Sequence, residues 1–369
     1  MKTSNRIVSV DIFRGLTVAA MILVNNPGSW GHVYSPLLHA EWHGLTPTDL
    51  IFPFFLFIVG MSITLAYTRR KKEGIDSAVY KKIVSRTCKL IILGLILAAF
   101  TVHFPFVKTF SDLRLPGVLQ RIGLVFFVAS ILFLNINWKG LLVIFIGILI
   151  GYWYVMTQIP VNGGLPMLTE ESNLATVIDT NILTRSHMWK VYDPEGILST
   201  VPAIATSIFG MLFGKVLINN HKSSNEKLVF FVVIGTVALI LGYIFSLNFP
   251  LNKSLWTSSF VLVTGGWACL IYALIFYMTD VLKKDKWGVP AIIFGSNAIT
   301  VFFLSGLIGR LFGMIEIKDN VSVHSFLYNN LSSIITNLKL SSLIYAMGVI
   351  AFYYLVALIL YKRKIFIKV

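Results

Sequence analysis

The chain has 369 residues, of which 56% are hydrophobic and only 13% charged, against about 25% charged in a soluble globular chain. That balance excludes a soluble enzyme. The apolar segments run roughly 18–25 residues, long enough to cross a bilayer, without the ten-residue alternation of an outer-membrane barrel. The net charge of +15 does not call for nucleic acid, because its distribution along the chain has a membrane explanation.

In chain order the pattern predicts an all-α, polytopic transmembrane helical bundle of about ten spans, with ends good to about four residues. They lie at 10–26, 47–67, 86–103, 117–135, 140–158, 196–218, 228–247, 257–281, 289–313 and 340–361. No segment between them is long enough for a soluble domain, so residues 1–369 are expected to form one domain. The start, MKTSNRIVSVDIFRG, has the outline of a signal peptide. However, Asp11 and Arg14 interrupt it and no small-residue cleavage site follows, so an uncleaved first span is expected. With the N-terminus in the cytoplasm, RRKK at 69–72, KK at 81–82, KKDK at 283–286 and KRK at 362–364 all fall on one side. That is the positive-inside asymmetry, and it puts both termini in the cytoplasm. Cys88 and Cys269 stand far apart inside predicted helices and suggest neither a disulfide nor a metal site. P-loop, zinc and GxSxG patterns are missing from the sequence. The loop over 159–195 is long enough to be functional or a lid.

The densest chemistry is HAEWHGLTPTDLIFPFFLFIVG, His39 to Gly60, where ionisable groups abut a long apolar helix. Such groups at the mouth of a span are costly and point to function. His39 and His43 at i, i+4 would share a helix face. One of them suits a general base or nucleophile, while interfacial histidines bonded to loop carbonyls are the plain alternative. No third ligand stands at metal spacing, and no metal is expected. Thr46, Pro47 and Asp49 read as a helix start with a carboxylate at the free amides, a role compatible with orienting a histidine. Pro53 is expected to kink that helix.

Asn25 and Asn26 end the first span on the same side as His39, where a buried amide needs a partner or ligand. At its other end Asp11 and Arg14, at i, i+3, are expected to pair, with phosphate binding as the alternative for Arg14. In LRLPGVLQRIG, Arg121 lies about one turn inside its span and is expected to face the bundle interior. DPEGILSTVPA reads as a helix start with Asp193 as N-cap, Pro194 first and Glu195 second, and Glu195 falls on the same side as His39. PLNKSLWTSS adds Asn252, Lys253 and Trp256, and GSNAI adds Asn297, which at membrane depth must bond to something.

Together these segments resemble the heparan-α-glucosaminide N-acetyltransferase family of transmembrane acyltransferases, including its bacterial members. SVDIFRG with MILVN, the His39–Gly60 stretch, LRLPGVLQRIG, DPEGILSTVPAIATSIFG, PLNKSLWTSSFVL and GSNAI carry the resemblance, from residue 9 to 299. The resemblance is to the family's membrane portion, and no counterpart of the luminal portion of the lysosomal members is expected. The resemblance implies transfer of an acetyl group from cytosolic acetyl-CoA to the amine of a glucosamine-type sugar across the membrane. It implies His39 as the active histidine, accompanied by Asn25. His43 stands where the pattern tolerates asparagine. On this reading Asp49 or Glu195 orients His39, and Asn25 or Asn297 steadies the thioester oxygen. Arg14, Arg86 and Lys89 draw the phosphates of acetyl-CoA, with Arg121 further inside the bundle. The expected location is the bacterial inner membrane, and the sequence is compatible with a homo-oligomer. The competing reading is an amino-sugar or muropeptide transporter built around Arg121, Asn297 and Arg310.

Overall fold

The computed structural model describes residues 7–102, 106–161, 163–318 and 321–367. The charged start at 1–6 and the last residue of the expected span 86–103 lie outside the described residues. The described chain is all-α apart from one short hairpin, β1 (Glu316–Lys318) with β2 (Val321–Ser322). The helices are α1 (Val8–Asn25), α2 (Ile51–Glu73), α3 (Ser77–Ala99), α4 (Val118–Asn135), α5 (Trp138–Gln158), α6 (Leu174–Leu183) and α7 (Ile197–Leu217). They continue as α8 (Ser224–Ser246), α9 (Ser258–Phe276), α10 (Val289–Ser296), α11 (Ala298–Met314), α12 (Val323–Ile334) and α13 (Leu338–Lys362).

Among the described residues, eight helices are long and apolar enough to span a membrane, or nine if α10 and α11 count as one broken span, so this is a multi-pass helical membrane protein. That is fewer than the ten expected. The helix over the expected span 86–103 begins earlier, at Ser77, and its Lys81, Lys82, Arg86 and Lys89 dilute its apolar stretch. The expected span 289–313 is divided: α10 and α11 meet at 67°. Asn297 leaves helical geometry there (φ −130°, ψ 39°). Two short helices, α6 and α12, occupy the expected loops 159–195 and 314–339. Pro53 causes no break, because it falls in the first turn of α2, where a missing N–H goes unmissed.

The core is aromatic and small-residue in alternation. Phe13, Phe57, Phe213, Phe231 and Tyr272 are buried at its centre: Tyr272 meets Phe13, Phe213 and Phe231 edge to face, and Phe213 meets Phe57 in the same way. Alongside, α2 and α7 touch backbone to backbone. A Cβ on Gly60 would stand 1.9 Å from the Ser207 carbonyl oxygen, and one on Gly210 would stand 2.0 Å from that of Phe57. Small residues are what permit such an approach where lipid removes the hydrophobic drive between helices. The bundle therefore has two chemically different ends. The starts of α2, α4, α7 and α9 gather around His39, and the opposite end carries the basic clusters of α2 and of the α9–α10 connection.

Candidate active site

Residues 38–46 form an irregular loop, not a helix, so His39 and His43 do not share a face. The loop folds back on the 3₁₀ turn Pro47–Leu50 that opens α2, and one carboxylate organises it. Asp49 is buried, 1% exposed. Its Oδ2 accepts from the Ala40 and Thr46 amides at 3.1 and 3.0 Å and from Thr46 Oγ1 at 3.0 Å. Its Oδ1 lies 2.6 Å from His39 Nδ1. Asp49 thus closes the helix start and orients the histidine together. A neighbouring carboxylate holds the proton on Nδ1, which leaves Nε2 as the ring's acceptor and nucleophile. The His39 side chain is 48% exposed, so the dyad is fixed from below and open above.

A third group completes it. Lys253 Nζ lies 3.0 Å from His39 Nδ1, 3.1 Å from Nε2 and 3.8 Å from Asp49 Oδ1. Burial lowers the pKa of its ammonium from the ordinary 10.5, and the carboxylates of Asp49 and Glu195 oppose that shift. Lys253 projects from a turn that the sequence builds tightly. Asn252 Oδ1 accepts from the Leu255 amide at 2.8 Å, and the Thr257 amide donates to the Asn252 carbonyl at 3.2 Å. Trp256 is held at φ +54°. A bulky residue there is strained by about 1–3 kcal/mol. Phe52, edge-on at 5.2 Å, and a hydrogen bond from Trp256 Nε1 to Thr206 Oγ1 hold it in place. His43 faces this turn through Asn252 Nδ2 at 3.3 Å, and burial lowers its pKa.

The other expected residues separate into groups. Glu195 does not meet His39: its Oε2 accepts from Arg114 Nη2 at 2.5 Å. Arg114 also holds Asp193 in a fork, Nε to Oδ2 at 2.9 Å and Nη2 to Oδ1 at 2.6 Å. Burial works against the guanidinium charge, but the two carboxylates raise its pKa above the usual value. Asp193 is therefore no N-cap. α7 starts at Ile197, and its Ile197 amide donates to Asp179 of α6 at 2.8 Å. Arg121 does face the interior, 1% exposed, donating to the Gly196 carbonyl at 3.1 Å and Ser199 Oγ at 2.5 Å. Its guanidinium lies 5.2 Å from the Trp256 ring centre, directly below the Lys253 turn. Its Nε and Nη1 have no hydrogen-bond partner among the described residues.

Asn25 is the exposed last residue of α1. Arg14, Arg86 and Lys89 sit away from His39. Arg14 pairs with Asp11 at 3.0 Å, as the spacing suggested, and also donates to Ser62 Oγ at 3.0 Å. Arg86 covers the Phe126 ring at 4.7 Å, within electrostatic range of Arg14, and Lys89 is exposed on the same helix. Asn297 corrects the expectation of an oxyanion donor. Its Nδ2 donates to the Ile365 carbonyl at 3.0 Å and its Oδ1 accepts from the Ile367 amide at 2.9 Å. Both ends of that amide are used in tying the C-terminal tail to the α10–α11 break. Among the described residues, no three His, Cys, Asp or Glu gather closely enough to hold a metal ion.

A family model described as heparan-alpha-glucosaminide N-acetyltransferase, catalytic, matches residues 6–247. Heparan-alpha-glucosaminide N-acetyltransferase of Homo sapiens is 29% identical over 426 aligned residues, covering 99% of this chain and 60% of its own length. The Mus musculus protein of the same name is 28% identical over 425, covering 100% and 61%. This chain thus spans about 60% of the length of the curated relatives it matches. His39, Asp49 and Arg121 fall within the family match, and Lys253 falls just beyond it.

Proposed function

The chain belongs to the heparan-alpha-glucosaminide N-acetyltransferase family, and on that premise we propose that it is a membrane acyltransferase moving an acetyl group from acetyl-CoA to the amine of an amino sugar. The observation that carries the proposal is the half-exposed His39 ring fixed at 2.6 Å by a buried Asp49. A carboxylate so placed selects the tautomer and stabilises the imidazolium that forms during acyl transfer. His39 Nε2 attacks the thioester carbonyl and the CoA thiolate leaves; the sugar amine then attacks the acetyl carbon, the C–Nε2 bond breaks, and the amine's proton passes to the thiolate or the freed imidazole. Alternatively Nε2 accepts the amine's proton as the amine itself attacks. Lys253 is positioned to steady the carbonyl oxygen or exchange the proton, and the free donors of Arg121 lie beneath it.

On α1 and α3, Arg14, Arg86 and Lys89 present cations suited to the phosphates of acetyl-CoA, which would approach from the cytoplasm. The amino sugar would arrive on the periplasmic side, at the mouth of the His39 loop. We read residues 1–369 as one catalytic domain of a bacterial inner membrane, with both termini cytoplasmic. The transporter reading loses support at two of its three residues: Asn297 is committed to the tail, and Arg310 is exposed on α11.

Radiolabelled acetyl-CoA added to purified protein without acceptor, followed by denaturation and counting, tests the route. Label retained by the wild type and absent from His39→Ala is expected for an acetyl-histidine intermediate. Bound acetyl-CoA without retained label would favour direct transfer, and the absence of acetyl-CoA binding would overturn the proposal.

A further inference from the structure

A large cavity lies between α5 and α8, floored by α7 and reached at one end by α2. Its volume is about 1610 Å³, above the roughly 300–1,000 Å³ of pockets for drug-sized ligands. For most of its length it is apolar: Phe145 and Ile146 of α5 face Val237 and Leu241 of α8. Along α8 it runs from Phe230 to Phe245, roughly 22 Å at 1.5 Å per residue. That exceeds one leaflet, half of the roughly 30 Å hydrocarbon core.

The cationic groups and most of the other polar ones gather at one end, on the side of the basic clusters. There Lys71, Lys72 and Lys215 line the cavity beside Trp138, and no Asp or Glu is among the lining residues. Lys71 is pinned by donating to the Phe133 and Ile136 carbonyls at 2.5 and 2.6 Å, at the C-terminus of α4. Lys215 lies 4.8 Å from the Trp138 ring centre and feels the charge of Lys71. Like charges brought together at a membrane interface repel unless an anion lies between them. A basic pocket between helices at the end of an apolar groove matches the two halves of a charged lipid.

We propose that this cavity is a binding site for an anionic glycerophospholipid. Lys71, Lys72 and Lys215 hold its phosphate, and its acyl chains lie between α5 and α8. The apolar walls would accept any lipid tail, and the acid-free cationic end selects the headgroup. This site is separate from the His39 dyad and does not depend on the acyl-transfer reading.

Native mass spectrometry of delipidated protein, titrated with phosphatidylglycerol or phosphatidylcholine of matched chains, tests it. One phosphatidylglycerol retained at least tenfold better than phosphatidylcholine is expected. That preference should vanish in K72Q/K215Q, which touches no hydrogen bond. Val237→Trp, at an exposed position of α8 that lines the cavity, should lose both lipids while keeping the melting temperature of the wild type. Equal retention of the two lipids, or an unchanged preference in K72Q/K215Q, would overturn the proposal. So would displacement of the lipid by inorganic phosphate or acetyl-CoA, or a dimer that covers the groove and binds neither lipid.

Discussion

Asp49 has two jobs because a carboxylate has two oxygens. Oδ2 gathers the loop amides that would otherwise be unpaired, and Oδ1 remains for His39. Asp49→Asn keeps the shape and loses acceptor capacity, since the new amide NH₂ cannot accept from Ala40 or Thr46. A stability loss of about 1–3 kcal/mol is expected, together with a fall in kcat of about 10²–10⁴ as the histidine loses its orienting charge. Lys253→Met should instead leave the melting temperature near the wild type and lower kcat about 10²-fold. Thermal unfolding and steady-state kinetics on both variants check the pair, and an active Lys253→Met would remove the lysine from the chemistry. The role of Asp49 was half legible in the sequence, because TPTD before an apolar run marks a helix start. Lys253 was present in PLNKSLW without a role, because 214 residues separate it from His39 and no local spacing can express that contact.

At the level of helices, the start of α7 shows how a local motif misleads. DPEG has the order of an N-cap followed by proline, yet Asp193 is drawn to Arg114, and the helix is capped from α6 by Asp179. Gly196 is needed there because a Cβ would stand 1.7 Å from Asp179 Oδ2. Burial pushes the Asp179 carboxyl up to about 6, against the pull of the Ile197 and Leu198 amides. Its ordinary value is about 3.9. The folded state therefore binds this proton more tightly than the unfolded chain. Its contribution to stability is greatest below about pH 4, falls as pH rises from about 4 to 6 and is level above, a change on the order of 3 kcal/mol. Asp179→Asn should flatten that segment of the melting-temperature profile relative to wild type. Parallel profiles would show that Asp179 does not carry this proton.

Across the whole molecule, the segregation of charge is the strongest topological statement. The His39 loop crowns one end of the bundle, and Arg69–Lys72 and Lys283–Lys286 mark the other. In a background of Cys88→Ser and Cys269→Ala, Glu41→Cys is expected to react with an impermeant maleimide in intact cells. Lys284→Cys should react only after permeabilisation. Labelling of both from the same side would contradict the orientation proposed for acyl transfer across the membrane.

What the sequence determined by itself was the class of molecule and most helix positions, because apolar length and basic clusters are local properties that a bilayer enforces. It also named His39 with either Asp49 or Glu195 as its orienting carboxylate, and the one that meets the ring is Asp49, joined to it by a short loop. Only the tertiary structure decided the partners that come from distant segments: Lys253 on His39, Arg114 on Glu195, the C-terminal tail on Asn297. Burying a polar group demands a partner, and the sequence can state that demand, but packing of whole helices chooses which distant group meets it.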